Sequence, residues 1–338
     1  MRHVKQIGRI LLSGMLAVAI LCLIFSFYLT TPVHIPSTKG NTDYVWPANS
    51  RWTNMREGIS WGQYDADGFN NPAVIENPDI LILGSSHMEA TNVLQEETVG
   101  VRLTQLLDGD YSVYNMGISG HTFLKICKYL PVSLSLGDVP PQVVVIETST
   151  VFFSGSDVAS LRDGTVEFTP SHNTGLLASL QKLPFFRTLY RQVEYGLLDL
   201  FLPRRSCAPA STSQPAGEPV PGDYDILFQR IAEAVDGREI QVVIFYHPME
   251  QLQSDGSIGF AESAGKALFQ EKCGEYGYTF LDMTEPFRQM YETEHLVAHG
   301  FSTGQLCTGH LNANGHRVIA QELARIIREM EEGGTLCR

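Results

Sequence analysis

The chain has 338 residues, 43% of them hydrophobic, enough for one good-sized domain with appendages and unlike collagen, a disordered chain or a repeat array. Its formal net charge is −13, from 24 basic and 37 acidic residues. Apart from Arg2, Lys5 and Arg9, 21 basic residues stand against 37 acidic ones, a balance that repels nucleic acid and anionic headgroups at long range and favours a neutral or locally steered substrate.

Residues 10–29 form an uncharged apolar run, about 30 Å long as a helix and so able to cross a hydrocarbon core. Three cations precede it and none follows before Lys39. The positive-inside rule therefore predicts a cytoplasmic tail (1–9), a transmembrane anchor (10–29) and an extracytoplasmic remainder. A cleaved signal peptide is the competing reading. No small-x-small site follows Phe27-Tyr28-Leu29, and Leu21 before Cys22 disfavours a lipoprotein site, so a single-pass protein with an uncleaved helix is expected. Residues 30–78 read as a stalk or docking segment whose Trp46, Trp52, Trp61 and Tyr64 require burial. Within it, residues 65–71 contain only a fragment of a calcium loop and read as a tight turn.

Short apolar runs follow at 80–83, 143–146, 242–245 and 278–281, with a weaker one at 112–114. Continuous apolar runs fit strands buried on both faces. Helical stretches alternate with them near 98–107, 122–136, 225–235, 259–276 and 314–331. The last carries Val318, Ile319, Leu323, Ile326, Ile327 and Met330 as a 3.6-residue stripe. This alternation predicts an α/β fold over 79–332, three αβα layers around a parallel five-stranded sheet. An insertion at 154–222 interrupts it, helical at first and then a Pro/Ser/Ala-rich loop expected to be mobile. Beyond the anchor the cysteine count is odd; one disulfide among Cys207, Cys273, Cys307 and Cys337 is compatible with the sequence, its connectivity open.

In open α/β sheets ligands bind beyond the carboxyl ends of the strands. Gly84-Ser85-Ser86-His87 follows the first strand, Asn115-Met116-Gly117-Ile118-Ser119-Gly120-His121 the second, and Glu147-Thr148-Ser149-Thr150 the third. His310-Leu311-Asn312-Ala313-Asn314-Gly315 leads into the last helix. Together these blocks resemble the SGNH/GDSL hydrolase superfamily over almost the whole region beyond residue 79, and the G-S-S-H variant looks like members that handle acyl groups on cell-surface polymers. The resemblance implies that Ser86 is a nucleophile, that His310 is its general base, and that the backbone N–H groups of Ser86 and Gly120 form an oxyanion hole. Two positions depart from the family. A side-chain oxyanion donor after the third strand is an asparagine there but Thr148, Ser149 or Thr150 here, with Thr148 as the candidate. The usual acid, three residues before the histidine, is replaced by Cys307, so Asp282 (or Glu285) is expected to support His310, failing which the pair works as a dyad.

The remaining histidines divide by position. His121 and His247 follow strands and are candidate substrate-binding residues, whereas His87 reads as structural. His295 and His299 lack the glutamate of a zinc-protease motif, so no metal and no cofactor are expected. The function expected is a serine esterase or O-acyltransferase on acyl esters, acetyl above all, of an extracytoplasmic glycan or related polymer, with a membrane acyltransferase as a possible partner and no nucleic acid. A catalytically weak polymer-binding or assembly protein is the alternative.

Overall fold

The computed structural model describes residues 2–28, 32–55, 57–166, 183, 185–186 and 221–336. The chain divides into two compact units, one including Met1–Pro32 and the other comprising Val33–Ser50, Asn54–Phe168 and Pro215–Arg338. In the first, Arg2–Tyr28 is a single helix, α1. Its segment His3–Ile24, 22 residues with a mean hydropathy of 2.4, is long and apolar enough to cross a membrane, a property that signal sequences share.

The second unit holds five parallel strands: β1 (Ile80–Leu83), β2 (Val113–Asn115), β3 (Val143–Thr148), β4 (Gln241–Tyr246) and β5 (Thr279–Asp282). Their order is β5-β4-β3-β1-β2, with Ile80 in register with both Val113 and Val143, Val143 with Gln241, and Thr279 with Val243. The chain reverses direction across the sheet between β1 and β3, which opens a crevice at the carboxyl ends of those strands. All five strands lie where the apolar runs predict them.

Strand side chains alternate between faces, so each apolar run feeds two cores. Leu81, Leu83, Val144, Ile146, Val242 and Ile244 pack on one face against α4 (Phe123–Ser133), α5 (Gly155–Arg162), α6 (Pro221–Val235) and α7 (Lys266–Glu275). Ile80, Ile82, Val143, Val145, Val243 and Phe245 pack on the other against α3 (Val99–Leu106), α8 (Thr284–Glu294) and α9 (Ala313–Glu332). The predicted stripe of α9 is buried from Val318 to Ile327, with Met330 partly buried at its end. Removing a ring from such a core, as in Phe269→Ala, costs about 3–5 kcal/mol.

The docking segment is woven into this unit rather than preceding it. Tyr44, Trp46, Tyr64 and Phe69 are buried, and Trp46 stacks on Tyr64 with ring centroids 5.1 Å apart. Trp61, expected inside, is 61% exposed. The Asp65 carboxylate closes a tight turn by accepting the N–H groups of Asp67 (2.9 Å) and Phe69 (3.0 Å). It also accepts from Asn71 Nδ2 (3.0 Å) and from the Tyr114 hydroxyl (2.9 Å), which ties the turn to β2. Most of the 154–222 insertion, including its predicted mobile loop, lies outside the described residues, as do Cys207 and Cys337. Cys127, Cys273 and Cys307 are free thiols.

Candidate active site

The turn after β1 is built to expose a serine. Gly84 is required by packing: a Cβ there would sit 2.3 Å from Met88 Cγ and 3.1 Å from Glu147 Cβ. Ser85 caps the four-residue helix α2 (Ser86–Glu89), its hydroxyl accepting the His87 N–H at 3.2 Å. Glu147, buried at the end of β3, accepts the Ser85 N–H at 2.6 Å and fixes the turn from below. Ser86 then stands at the first helical position.

His310 comes from the opposite end of the chain. It lies on the longer arm of a hairpin, His299–Gly300 paired with Leu306–Leu311, that leads into α9. Asn312 caps α9, accepting the N–H groups of Asn314 (2.9 Å) and Gly315 (3.3 Å), and donates to the carbonyls of Val297 and Gly300, both at 2.9 Å. These bonds lock the base of the hairpin. The Ser86 hydroxyl donates to His310 Nε2 at 2.9 Å. The other ring nitrogen, Nδ1, donates to the carboxylate of Glu57. A hydroxyl, an imidazole and a carboxylate are therefore linked in the order that generates an alkoxide-like nucleophile.

Glu57 is the residue that sequence reasoning missed. Asp282 is not near this chain: its carboxylate accepts the N–H (2.9 Å) and hydroxyl (2.5 Å) of Thr284 and pairs with Lys266. It is committed to the end of β5. Glu285 pairs with Arg288 at 3.2 Å on the surface. The carboxylate that reaches His310 belongs instead to the docking segment, where Asn92 Nδ2 also holds it at 3.1 Å. Gly309 makes room for it. A Cβ at that position would lie 2.6 Å from Glu57 Oε1, and its φ of +73° is one that other residues resist.

The expected oxyanion donors separate into two kinds. Ile118 N–H bonds Gly84 O at 3.0 Å, and Ser119 N–H bonds buried Glu89 at 2.5 Å, so the second block is pinned beside the nucleophile turn. Within the described residues, no hydrogen bond engages the N–H of Ser86 or of Gly120, which leaves both groups for an incoming oxygen. Thr148 departs from expectation. It is buried, and its hydroxyl donates to Thr150 O while accepting Thr150 N–H at 3.3 Å, so its one proton closes a local turn.

Neither candidate substrate histidine faces open space. His121 is buried and bonded through Nε2 to Thr42 Oγ1 at 2.8 Å; burial, with Lys125 adding to it, pushes its pKa down to about 4. His247 is buried beneath the turn, with Nε2 bonded to Glu147 at 2.7 Å and Nδ1 3.2 Å from His299 Nε2. Burial opposes ionisation of Glu147, but the His247 and Ser85 bonds outweigh it and hold its pKa below the ordinary carboxylate value. His87 accepts Leu311 N–H at Nδ1 (3.2 Å), and burial with the neighbouring histidines drives its pKa well down.

No protein-family model matches the sequence, and no curated protein matches it. Among solved structures, the chain is similar to a psychrotrophic esterase EstA from Pseudoalteromonas sp. (16% identity, TM-score 0.38, covering 75% of this chain and 98% of that one). It is also similar to an acetyl xylan esterase AlAXEase (15%, 0.37, 73% and 99%) and to a catalytic mutant of Axe2, an acetylxylan esterase from Geobacillus stearothermophilus (12%, 0.39, 75% and 94%). The fold itself is an α/β sandwich around a parallel five-stranded sheet. At these identities and TM-scores, the chemistry is read from Ser86, His310 and Glu57 themselves.

Proposed function

We propose that the protein is a serine esterase or O-acyltransferase that works through an acyl-enzyme on Ser86. The observation that supports this most directly is the hydrogen-bonded series Ser86–His310–Glu57. His310 Nε2 takes the Ser86 proton as Oγ attacks an ester carbonyl; Glu57 holds the ring in the required tautomer and stabilises the imidazolium. The N–H groups of Ser86 and Gly120 receive the oxyanion, and His310 returns the proton to the leaving alcohol. Water then releases the acid, or a sugar hydroxyl accepts the acyl group.

The finer reading is an acetylated glycan or related polymer outside the cytoplasm, with α1 as an anchor and the catalytic unit on the far side. The positive-inside pattern supports the location. The weak-relative alternative rests on a missing acid and a missing side-chain oxyanion donor; Glu57 supplies an acid, whereas the Thr148 hydroxyl is engaged by Thr150. The test is fluorophosphonate labelling and acetyl-ester turnover by the full-length chain in detergent. Ser86→Ala should abolish both and His310→Ala should nearly do so. A folded wild-type chain that neither labels nor turns over any acetyl ester would overturn the reading. Adding a sugar acceptor then separates hydrolysis from transfer by product.

A further inference from the structure

Behind the nucleophile turn lies a second group of side chains that the ester chemistry leaves unused. His87, His247 and His299 each present a ring nitrogen, and these atoms lie within 4.8 Å of one another. His247 Nε2 bonds Glu147 at 2.7 Å, and His299 Nδ1 bonds Glu250 at 2.6 Å. Both glutamates are buried, and each has its second oxygen engaged by a backbone N–H: Ser85 on Glu147 at 2.6 Å, Ala298 on Glu250 at 2.5 Å. With each carboxylate acting as an acceptor on both oxygens, the protons of the two imidazoles sit on the nitrogens that face them. His247 Nδ1 and His299 Nε2 are then left with lone pairs on two nitrogens 3.2 Å apart. Two lone pairs at that distance repel unless a positive charge joins them.

A proton or a metal ion can do this; the 3.2 Å spacing fits both, and the two buried carboxylates favour the metal. Zinc–imidazole bonds of about 2.0–2.1 Å at a tetrahedral angle place the two nitrogens about 3.3–3.4 Å apart, close to the separation found. Among the described residues no lysine or arginine pairs with Glu147 or Glu250, so the two buried carboxylates have only these histidines as side-chain partners for their charge. A proton cancels one and a divalent cation cancels both. The Glu147–His247 and Glu250–His299 bonds are also the carboxylate support that metal-bound histidines commonly have.

We infer that His87, His247 and His299 form a binding site for a divalent transition-metal ion of the zinc class, distinct from the Ser86–His310–Glu57 series. Three neutral imidazoles select zinc, copper, nickel or iron over magnesium or calcium. His87 now accepts the Leu311 N–H, and a neutral imidazole has a single lone pair, so ligation through either nitrogen gives up that one hydrogen bond. The metal would clamp three elements together: the Ser86 turn through His87, the end of β4 through His247, and the His310 hairpin through His299, which pairs with Leu311. That makes it a positioning centre for the nucleophile and its base. This departs from the expectation that no metal is bound.

The test uses the untagged full-length chain in detergent, stripped with a chelator and titrated with Zn²⁺ or Co²⁺. One equivalent per chain is expected, with the strong visible bands of tetrahedrally bound Co²⁺ and a melting temperature that rises with free metal. The double variant His247→Gln/His299→Gln should lose binding, whereas Ser86→Ala, which leaves the three histidines intact, should keep it. Absence of stoichiometric binding by the wild-type chain would overturn the inference and leave a shared proton between His247 and His299. So would undiminished binding by the double variant. Metal content is read independently of ester turnover, so the failure of one proposal does not mimic failure of the other.

Discussion

Glu57 and His310 are 253 residues apart in sequence and joined by one hydrogen bond, from His310 Nδ1 to the Glu57 carboxylate. The acid of the candidate centre thus comes from the segment before the sheet, and the base from the hairpin after it. That division makes the acid's role separable from the fold's core. Glu57→Gln should lower kcat by about 10²–10⁴-fold with little change in KM, because the amide favours the wrong imidazole tautomer. Asp282→Asn should leave kcat intact and cost about 1 kcal/mol through weaker bonds to Thr284 and the lost charge pair with Lys266. Steady-state kinetics beside denaturant melts check both; a large kcat loss in Asp282→Asn would count against the assignment.

Thr148→Val tests the oxyanion hole. Loss of a working oxyanion donor costs about 10²–10³-fold in kcat. Since the Thr148 proton is spent on Thr150 O, the variant should retain kcat within a few-fold and lose about 1 kcal/mol of stability. Burst kinetics with an activated acetyl ester would expose any acylation defect.

Gly309→Ala puts a methyl group where the Glu57 carboxylate lies and forces a non-glycine residue into φ +73°. A displacement of the acid by about 1 Å should reduce kcat by about 10²-fold. The accompanying strain should cost about 1–2 kcal/mol. Both losses are expected in the same protein, and Gly309→Ala with wild-type turnover would argue that Glu57 is not in the series.

His121 predicts a pH dependence of folding. Its native pKa, about 4, is below the unfolded value near 6.5, so the unfolded chain binds a proton first as pH falls. Stability should therefore decline from about pH 6.5 down to about pH 4, by on the order of 3 kcal/mol, and then level with respect to this group. His121→Gln should flatten that part of the profile in urea melts at stepped pH, without changing KM, because the side chain bonds Thr42 rather than substrate.

Much of the architecture was legible because it is written locally. Ile80–Leu83 and Val143–Ile146 are apolar at every position, which only a doubly covered strand explains, and the α9 stripe has helical period. Ser86 and His310 were legible for the same reason, since each sits in a short block at the carboxyl edge. Glu57 carries no local mark; it lies among polar residues of a segment read as a stalk, and only three-dimensional closure identifies it. Asn92 and Gly309 had a fainter signal: a glycine immediately before the base invites the question of what it makes room for. Thr148 misled because a hydroxyl's direction depends on its turn, and Trp61 because one aromatic in a cluster can face solvent.

The locking of Asn312 onto Val297 and Gly300 has a consequence for biogenesis. As the polypeptide is made, Glu57 emerges first, Ser86 soon after, and His310 only with the final helix to follow. Until the hairpin closes, the serine has neither base nor acid support and resembles any surface hydroxyl. On the reading proposed above, ester cleavage is thus withheld from the nascent chain and from C-terminally clipped forms, and it begins when the His310 hairpin docks on the Glu57 segment.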